Sequence, residues 1–126
     1  MSRRVLVLLT GIALLSGCGS PPPDSSPRRM PEGTRESASA RAAGRDLFMQ
    51  HCARCHGTAM ENRRQVSDRF RSPAPDFTEP AYRRADPGDL FQAIRQGRAG
   101  VGMPAWAPHF SEEQTWQLVA YLLSRS

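Results

Sequence analysis

Residues 51–57 read HCARCHG, His51 to Gly57, in a chain of 126 residues whose only other cysteine is Cys18. Two thiols with two residues between them and a histidine directly behind admit three chemistries: a redox dithiol, half of a structural zinc site, or an attachment point for haem. A thioredoxin-type dithiol belongs in a strand-and-helix context, and no alternating strand pattern precedes Cys52. Structural zinc asks for four ligands, with a second Cys or His pair some ~12–20 residues downstream. No cysteine follows Cys55, and His109 is the only later histidine. The third chemistry fits: thiols about one helical turn apart can each add to a vinyl group of one haem, and the histidine after them can swing under the ring to bind iron. The expectation is one covalent haem c per chain, attached through Cys52 and Cys55, with His56 as an iron ligand.

Haem iron has a second axial position, and what fills it sets the function. The candidates are Met49, Met60, Met103, His51 and His109. Met49 lies on the expected first helix near the attachment site and His51 is adjacent to Cys52, so both are badly placed to reach the opposite haem face. Met60 stands four residues beyond His56 and is expected to pack. His109, just ahead of Ser111, reads as a loop-bracing imidazole. Met103 has the best setting, in the loop GVGMP (100–104), where glycines let backbone approach the ring and Pro104 sets the chain direction.

The N-terminus reads as a targeting signal. MSRR is followed by the apolar run Val5 to Leu15, too short to span a bilayer, which takes ~20 apolar residues. LSGC at 15–18 resembles the lipobox of bacterial lipoproteins, which implies cleavage after residue 17 and lipidation of Cys18. Residues 18–37 then form a Pro/Ser-rich tether, nineteen residues after the cysteine, able to reach ~60 Å extended or ~25 Å as a coil. The expected domain is 38–126.

Within it, a first helix is predicted from about Ser39 into the Cys52 region, interrupted by Gly44, which shares a face with Phe48. Residues 57–77 read as irregular, and Thr78 as the cap of a short turn through Arg84. Asp86-Pro87-Gly88 opens a second helix with Leu90, Phe91 and Ile94 buried and Gly97 as its stop. Arg98–Phe110 reads as a loop. Ser111 with Gln114 forms a capping box for a last helix whose apolar face carries Leu118, Val119, Tyr121, Leu122 and Leu123. The fold class is all-α.

The formal charge is +5, carried by arginines alone and falling to +3 once Arg3 and Arg4 are removed. The positive charges are scattered among acids, so no nucleic-acid-binding stripe is expected.

Together the segments AAGRDLFMQHCARCHG, PAPDFT, DPGDLFQAIRQGR, GMPAW and SEEQTWQLVAYLLS resemble class I cytochrome c of the small bacterial single-haem kind, over about Ala42 to Arg125. The resemblance implies three main helices wrapped around the haem. Gly44 and Phe48 on the first helix would cross Leu118 and Tyr121 on the last. It implies Met103 as the sulfur ligand and a proline carbonyl holding the proximal histidine ring, with Pro75 the better match and Pro73 the alternative. Phe77, Phe91 and Trp106 are expected at the pocket. The absence of lysine removes the lysine-ringed docking face of some members.

The function implied is that of a one-electron carrier rather than an enzyme, monomeric and exported. A lipid on Cys18 would hold it to a bacterial membrane, with the domain in the periplasm or on the outer face of the cytoplasmic membrane. Its partners would be a redox donor and acceptor. The alternative is an accessory subunit docked in an oxidase, dehydrogenase or reductase complex. A gas-binding or peroxidase-like haem protein would need Met103 to be displaceable.

Overall fold

The structure, a computed structural model, describes residues 28–60 and 74–125. The signal segment, Cys18 and Pro73 lie outside the described residues. Helix α1 spans Ala38–His51 and runs into the single turn α2, Ala53–His56. A 3-10 turn at Pro80–Arg84, helix α3 at Pro87–Gln96, a 3-10 turn at Ala99–Val101 and helix α4 at Glu112–Arg125 follow. Among the described residues the only strand-type pairing is one bridge between Arg98 and Met103. The architecture is all-α, with three main helices.

Each main helix starts where its sequence provides a partner for otherwise unpaired N–H groups. The Ser37 hydroxyl accepts from the Ala40 N–H at 3.2 Å to start α1. Asp86 Oδ1 accepts from Gly88 and Asp89 at the head of α3, with Pro87 in the first turn. At α4 the expected capping box forms: Gln114 N–H donates to Ser111 Oγ at 3.1 Å, and Ser111 N–H to Gln114 Oε1 at 2.9 Å. Helix α3 stops at Gly97, whose φ of +69° suits glycine.

The core lies between α1 and α4. At Gly44 the backbone of α1 rests directly on α4, where a Cβ would overlap the Gln117 carbonyl. One turn on, Phe48 is fully buried and packs edge-on to Tyr121, ring centroids 5.6 Å apart. Leu118, Val119 and Ala120 are equally inaccessible. The crossing expected of Gly44, Phe48, Leu118 and Tyr121 is therefore present.

Three local expectations change. Thr78 does not cap the following turn, which begins at Glu79 with no side-chain cap and Pro80 in its first position. Instead the Thr78 N–H and hydroxyl both donate to Asp76 Oδ1, at 2.8 and 2.5 Å, and hold that carboxyl below the usual carboxylate range. Phe91 does not face the pocket. It stacks on Trp116 at 4.1 Å, with the guanidinium groups of Arg28 and Arg95 each within 6 Å of its ring.

Residues 28–37, expected to belong to the tether, are laid on the domain. Met30 packs against the core, Arg28 pairs with Glu112, and the Arg28 carbonyl sits over Gly88. A long-range ion pair and a main-chain approach of this kind leave no composition signal.

Because any side chain at residue 44 meets main chain rather than a yielding side chain, Gly44→Ala is expected to destabilise the domain by about 1–3 kcal/mol or more. Leu118→Ala, which leaves the crossing distance alone but opens a cavity, is expected to cost ~2–5 kcal/mol. Chemical denaturation of both variants against wild type measures this.

Candidate functional site

Helix α1 ends by feeding directly into the C-x-x-C-H segment, Cys52 to His56. The Cys52 N–H still donates to Phe48 at 2.8 Å, and the His56 N–H donates to the Cys52 carbonyl at 2.9 Å. The two cysteines and the histidine are thus held on one continuous helical turn rather than on a free loop. Cys52 and Cys55 are free thiols, both half-buried. Burial, with Cys55 alongside, pushes the Cys52 thiol up to about 12.

They open onto a cavity of about 500 Å³, within the usual size range for a ligand or cofactor site. Leu90, Ala93 and Ile94 form the wall contributed by α3, with Leu122 from α4. Phe77 and Tyr82 close another side. The loop after α3 contributes Val101, Met103, Pro104 and Trp106. The lining is mostly apolar, which suits a large flat hydrophobic ring and not a hydrated metal ion. Among the described residues no cluster of three or more His, Cys, Asp or Glu side chains could hold a metal ion on its own.

The His56 imidazole is fixed by aromatic neighbours, with Phe77 at 5.2 Å and Phe48 at 6.4 Å between centroids. Its Nδ1 is buried with no hydrogen-bond partner. Burial pulls the His56 pKa below its ordinary value, while the Pro75 carbonyl acts the other way. That carbonyl is near enough to favour the protonated ring yet outside hydrogen-bonding geometry. A buried Nδ1 without a protein partner, with the Pro75 carbonyl acting on the same ring, suits an imidazole that binds a metal through one nitrogen while an acceptor orients the other. The residues present therefore fit a covalently held haem.

Met103 reaches the same cavity from a different part of the chain. The turn that carries it is closed by a reciprocal pair of main-chain bonds, Arg98 N–H to Met103 O at 2.8 Å and Met103 N–H to Arg98 O at 3.2 Å. Gly102, at φ +84°, allows the reversal. Downstream, Trp106 and Ala107 donate to the carbonyls of Ile94 and Arg95, tying the loop to the end of α3. Trp106 both lines the cavity and anchors the loop, stacked on Phe110 at 5.0 Å.

The other axial candidates are placed differently. Met60 is fully buried and is not among the cavity's lining residues. Its carbonyl accepts from Phe77 N–H at 3.2 Å, and its φ of +66° is unusual for a residue with a side chain. Met49 is exposed on α1. His51 is solvent-exposed at the cavity margin, edge-on to Trp106 and Phe110. His109 is exposed and leans on Trp106. Sequence reasoning missed Tyr82 and Arg98 at the cavity. The proximity of Arg98 to the GVGMP stretch was the one available signal.

Residues 39–122 match the family described as cytochrome c oxidase, cbb3-type, subunit III. The chain is similar to the cbb3-type cytochrome c oxidase subunit FixP of Bradyrhizobium diazoefficiens, 30% identical over 84 residues, which are 66% of this chain and 27% of that protein. It is similar also to the cbb3-type cytochrome c oxidase subunit CcoP of Azospirillum brasilense, 32% identical over 85 residues, covering 68% of this chain and 28% of that one. The chain thus spans about a quarter of the length of the curated relatives it matches. Two solved structures share the fold at 22% identity. One is cytochrome cL of the methylotroph Methylophaga aminisulfidivorans, with a TM-score of 0.57 over 71% of this chain and 55% of that one. The other is a chain of the reducing HAO-like protein complex of Kuenenia stuttgartiensis, with a TM-score of 0.61 over 80% and 47%. The chain belongs to the cbb3-type cytochrome c oxidase subunit III family, as an all-α cytochrome c domain whose cofactor is covalently bound haem c.

Proposed function

We propose that this chain is a membrane-tethered one-electron carrier in which Cys52 and Cys55 bind the haem, His56 and Met103 ligate its iron, and the Pro75 carbonyl steadies the His56 ring. The observation that carries the reading is that these residues, from three separate parts of the chain, line one apolar cavity. When bound, the haem supplies a reversible one-electron couple, and a His/Met ligand pair favours the ferrous state. The chain's own residues do the rest. Phe48 and Phe77 fix the plane of His56, and the closed turn from Arg98 to Met103 presents the sulfur. Leu90, Ile94, Phe77 and Leu122 keep water from the ring. With His56 and Met103 both given to the iron, the bound haem would serve electron transfer rather than substrate binding.

A second reading, that the domain works as a docked subunit of a respiratory oxidase, is favoured by the relatives, which are named as oxidase subunits. The two readings differ in whether the domain exchanges freely. Co-purification with an oxidase after mild detergent extraction supports the subunit, and recovery of the cytochrome alone supports the carrier.

No helix among the described residues is long and apolar enough to cross a membrane. In the proposal the anchor is a lipid on Cys18, which would hold the domain on the periplasmic side or the outer face of the cytoplasmic membrane. Because residues 28–37 pack on the domain, only residues 19–27 separate Cys18 from Arg28. That is a reach of ~28 Å extended or ~15–18 Å as a coil, a tighter leash than the sequence alone suggests.

Three outcomes follow. Cys52→Ala or Cys55→Ala leaves at most one thioether, and His56→Ala abolishes stable holoprotein. Intact-mass measurement of exported protein reads both, and a wild-type mass without covalent haem defeats the assignment.

Met103→Ala removes the sulfur-to-iron charge-transfer band, lowers the reduction potential and lets the ferrous protein bind carbon monoxide. Met60→Ala costs ~2–5 kcal/mol of stability but keeps the band. Loss of the band in Met60→Ala instead would transfer the ligand role.

Cys18→Ser shifts the protein from the membrane to the soluble fraction or stops its processing. Stable anchoring takes more than one acyl chain, so a wild-type protein found wholly in the soluble fraction rules the lipid anchor out.

A further inference from the structure

Gly97, which ends α3 with its backbone at φ +69°, is not among the cavity's lining residues. A β-carbon built there would stand 2.5 Å from the Ala105 nitrogen, 2.5 Å from the Pro104 carbonyl carbon and 2.6 Å from the Pro104 oxygen. All three are main-chain atoms, so no side chain can turn aside to make room. Gly33 supplies the contrast: its φ is +76°, yet nothing lies within 4 Å of the place a β-carbon would take. Positive φ and close approach are separate constraints, and Gly97 carries both.

The close approach is one residue from Met103. Arg98 and Met103 exchange main-chain hydrogen bonds, so Gly97 and Pro104 form the next step of the same antiparallel register. Pro104 has no N–H to donate, and that step is closed by contact. Beyond it the Trp106 and Ala107 N–H groups donate to the Ile94 and Arg95 carbonyls, each at 3.1 Å, and the Arg95 guanidinium donates to the Phe110 carbonyl at 2.6 Å. Ile94 is itself buried in the cavity wall. The end of α3 is therefore held, and a side chain at residue 97 would move the loop instead.

We infer that Gly97 is a positioning residue for the Met103 sulfur: its missing side chain lets Pro104 and Ala105 lie against the end of α3, and that seat keeps Met103 at the iron. The inference rests on the His56 and Met103 reading above. Non-bonded atoms settle at ~3.5–4.0 Å, so a β-carbon at residue 97 drives the peptide between Pro104 and Ala105 back by about 1 Å. A functional group has to be held within ~0.5 Å of its working position. Such a retreat exceeds that tolerance, while Cys52, Cys55 and His56, carried by another part of the chain, still hold the haem. Gly97 thus decides whether the iron is closed to outside ligands.

The test uses full-length holoprotein and compares Gly97→Ala, Gly97→Asn, Gly33→Ala and Met103→Ala. Asparagine accepts positive φ more readily than alanine but carries the same β-carbon. Gly33→Ala imposes the φ strain without the clash, away from the cavity. In Gly97→Ala and Gly97→Asn the haem should stay covalently attached and the sulfur-to-iron charge-transfer band should be lost. The apparent carbon monoxide affinity of the ferrous protein should rise about tenfold or more, in step with the open fraction. Gly33→Ala should keep the band and the wild-type affinity. Adding Gly97→Ala to Met103→Ala should raise the affinity no further, because both act through one ligand.

Coupling between seat and ligand is reciprocal. Amide hydrogen exchange at Trp106 and Ala107, whose N–H groups close the seat, should therefore accelerate in Met103→Ala, while amides inside α1 should not change.

A Gly97→Ala or Gly97→Asn holoprotein that keeps both the band and the wild-type carbon monoxide affinity overturns the inference, as does loss of the band in Gly33→Ala. If neither variant at residue 97 accumulates, unchanged exchange at Trp106 and Ala107 in Met103→Ala overturns it. A wild type without covalent haem, or a Met103→Ala protein that retains the band, strikes the proposed function instead.

Discussion

The contact on which the rest of the molecule depends is the main-chain approach of α1 to α4 at Gly44. Gln117 occupies the space a side chain would need, so the two helices lie closer than side-chain packing permits. Phe48, one turn further on, is thereby driven against Tyr121 and into the core. Phe48 in turn touches the ring of His56. Helix crossing, aromatic packing and the orientation of the His56 ring form one chain of contacts, and a change at residue 44 would reach His56, the proposed iron ligand, without touching it.

Much of this was readable in the sequence because it rests on local chemistry. The caps at Asp86 and Ser111 are pairs of neighbours in the chain, and helix periodicity set the buried face of α4. C-x-x-C-H at residues 52–56 carries its chemistry in its spacing. What was not readable depended on angular detail or distant partners. Leu90, Phe91 and Ile94 all look like one stripe in a list of apolar positions. At about 100° per residue, however, Leu90 and Ile94 lie within ~40° of each other, with Ala93 nearby, whereas Phe91 lies ~100° from Leu90. The first three line the cavity, and Phe91 turns to Trp116.

Composition misjudged residues 28–37 for a related reason. Prolines, serines and mixed charge usually mean a solvated linker, and only Met30 offers apolar surface there. The contacts that hold the segment are instead an ion pair to Glu112, a guanidinium over Phe91, and a carbonyl seated where α3 has Gly88. All three partners lie more than fifty residues away. Gly88 was assigned only to the opening of α3, yet its lack of a side chain is also what allows the Arg28 carbonyl to approach.

These features answer a difficulty of size. A domain of about 85 residues buries a smaller fraction of its surface than a large one and is correspondingly marginal, and such domains rely on staples or cofactors. In this one α4 alone contributes eight buried residues, Thr115, Trp116 and Leu118 to Leu123, while α1 contributes Gly44 and Phe48, and α3 contributes Phe91 and Ile94. The apolar surface of α3 is therefore shared between two roles. Phe91 closes the protein core on Trp116, where Arg28 of the strap covers it, and Leu90, Ala93 and Ile94 face the cavity. In the proposed haem c reading the ring would complete the contacts of that face of α3, so the packing that stabilises the domain would also shape its cofactor site.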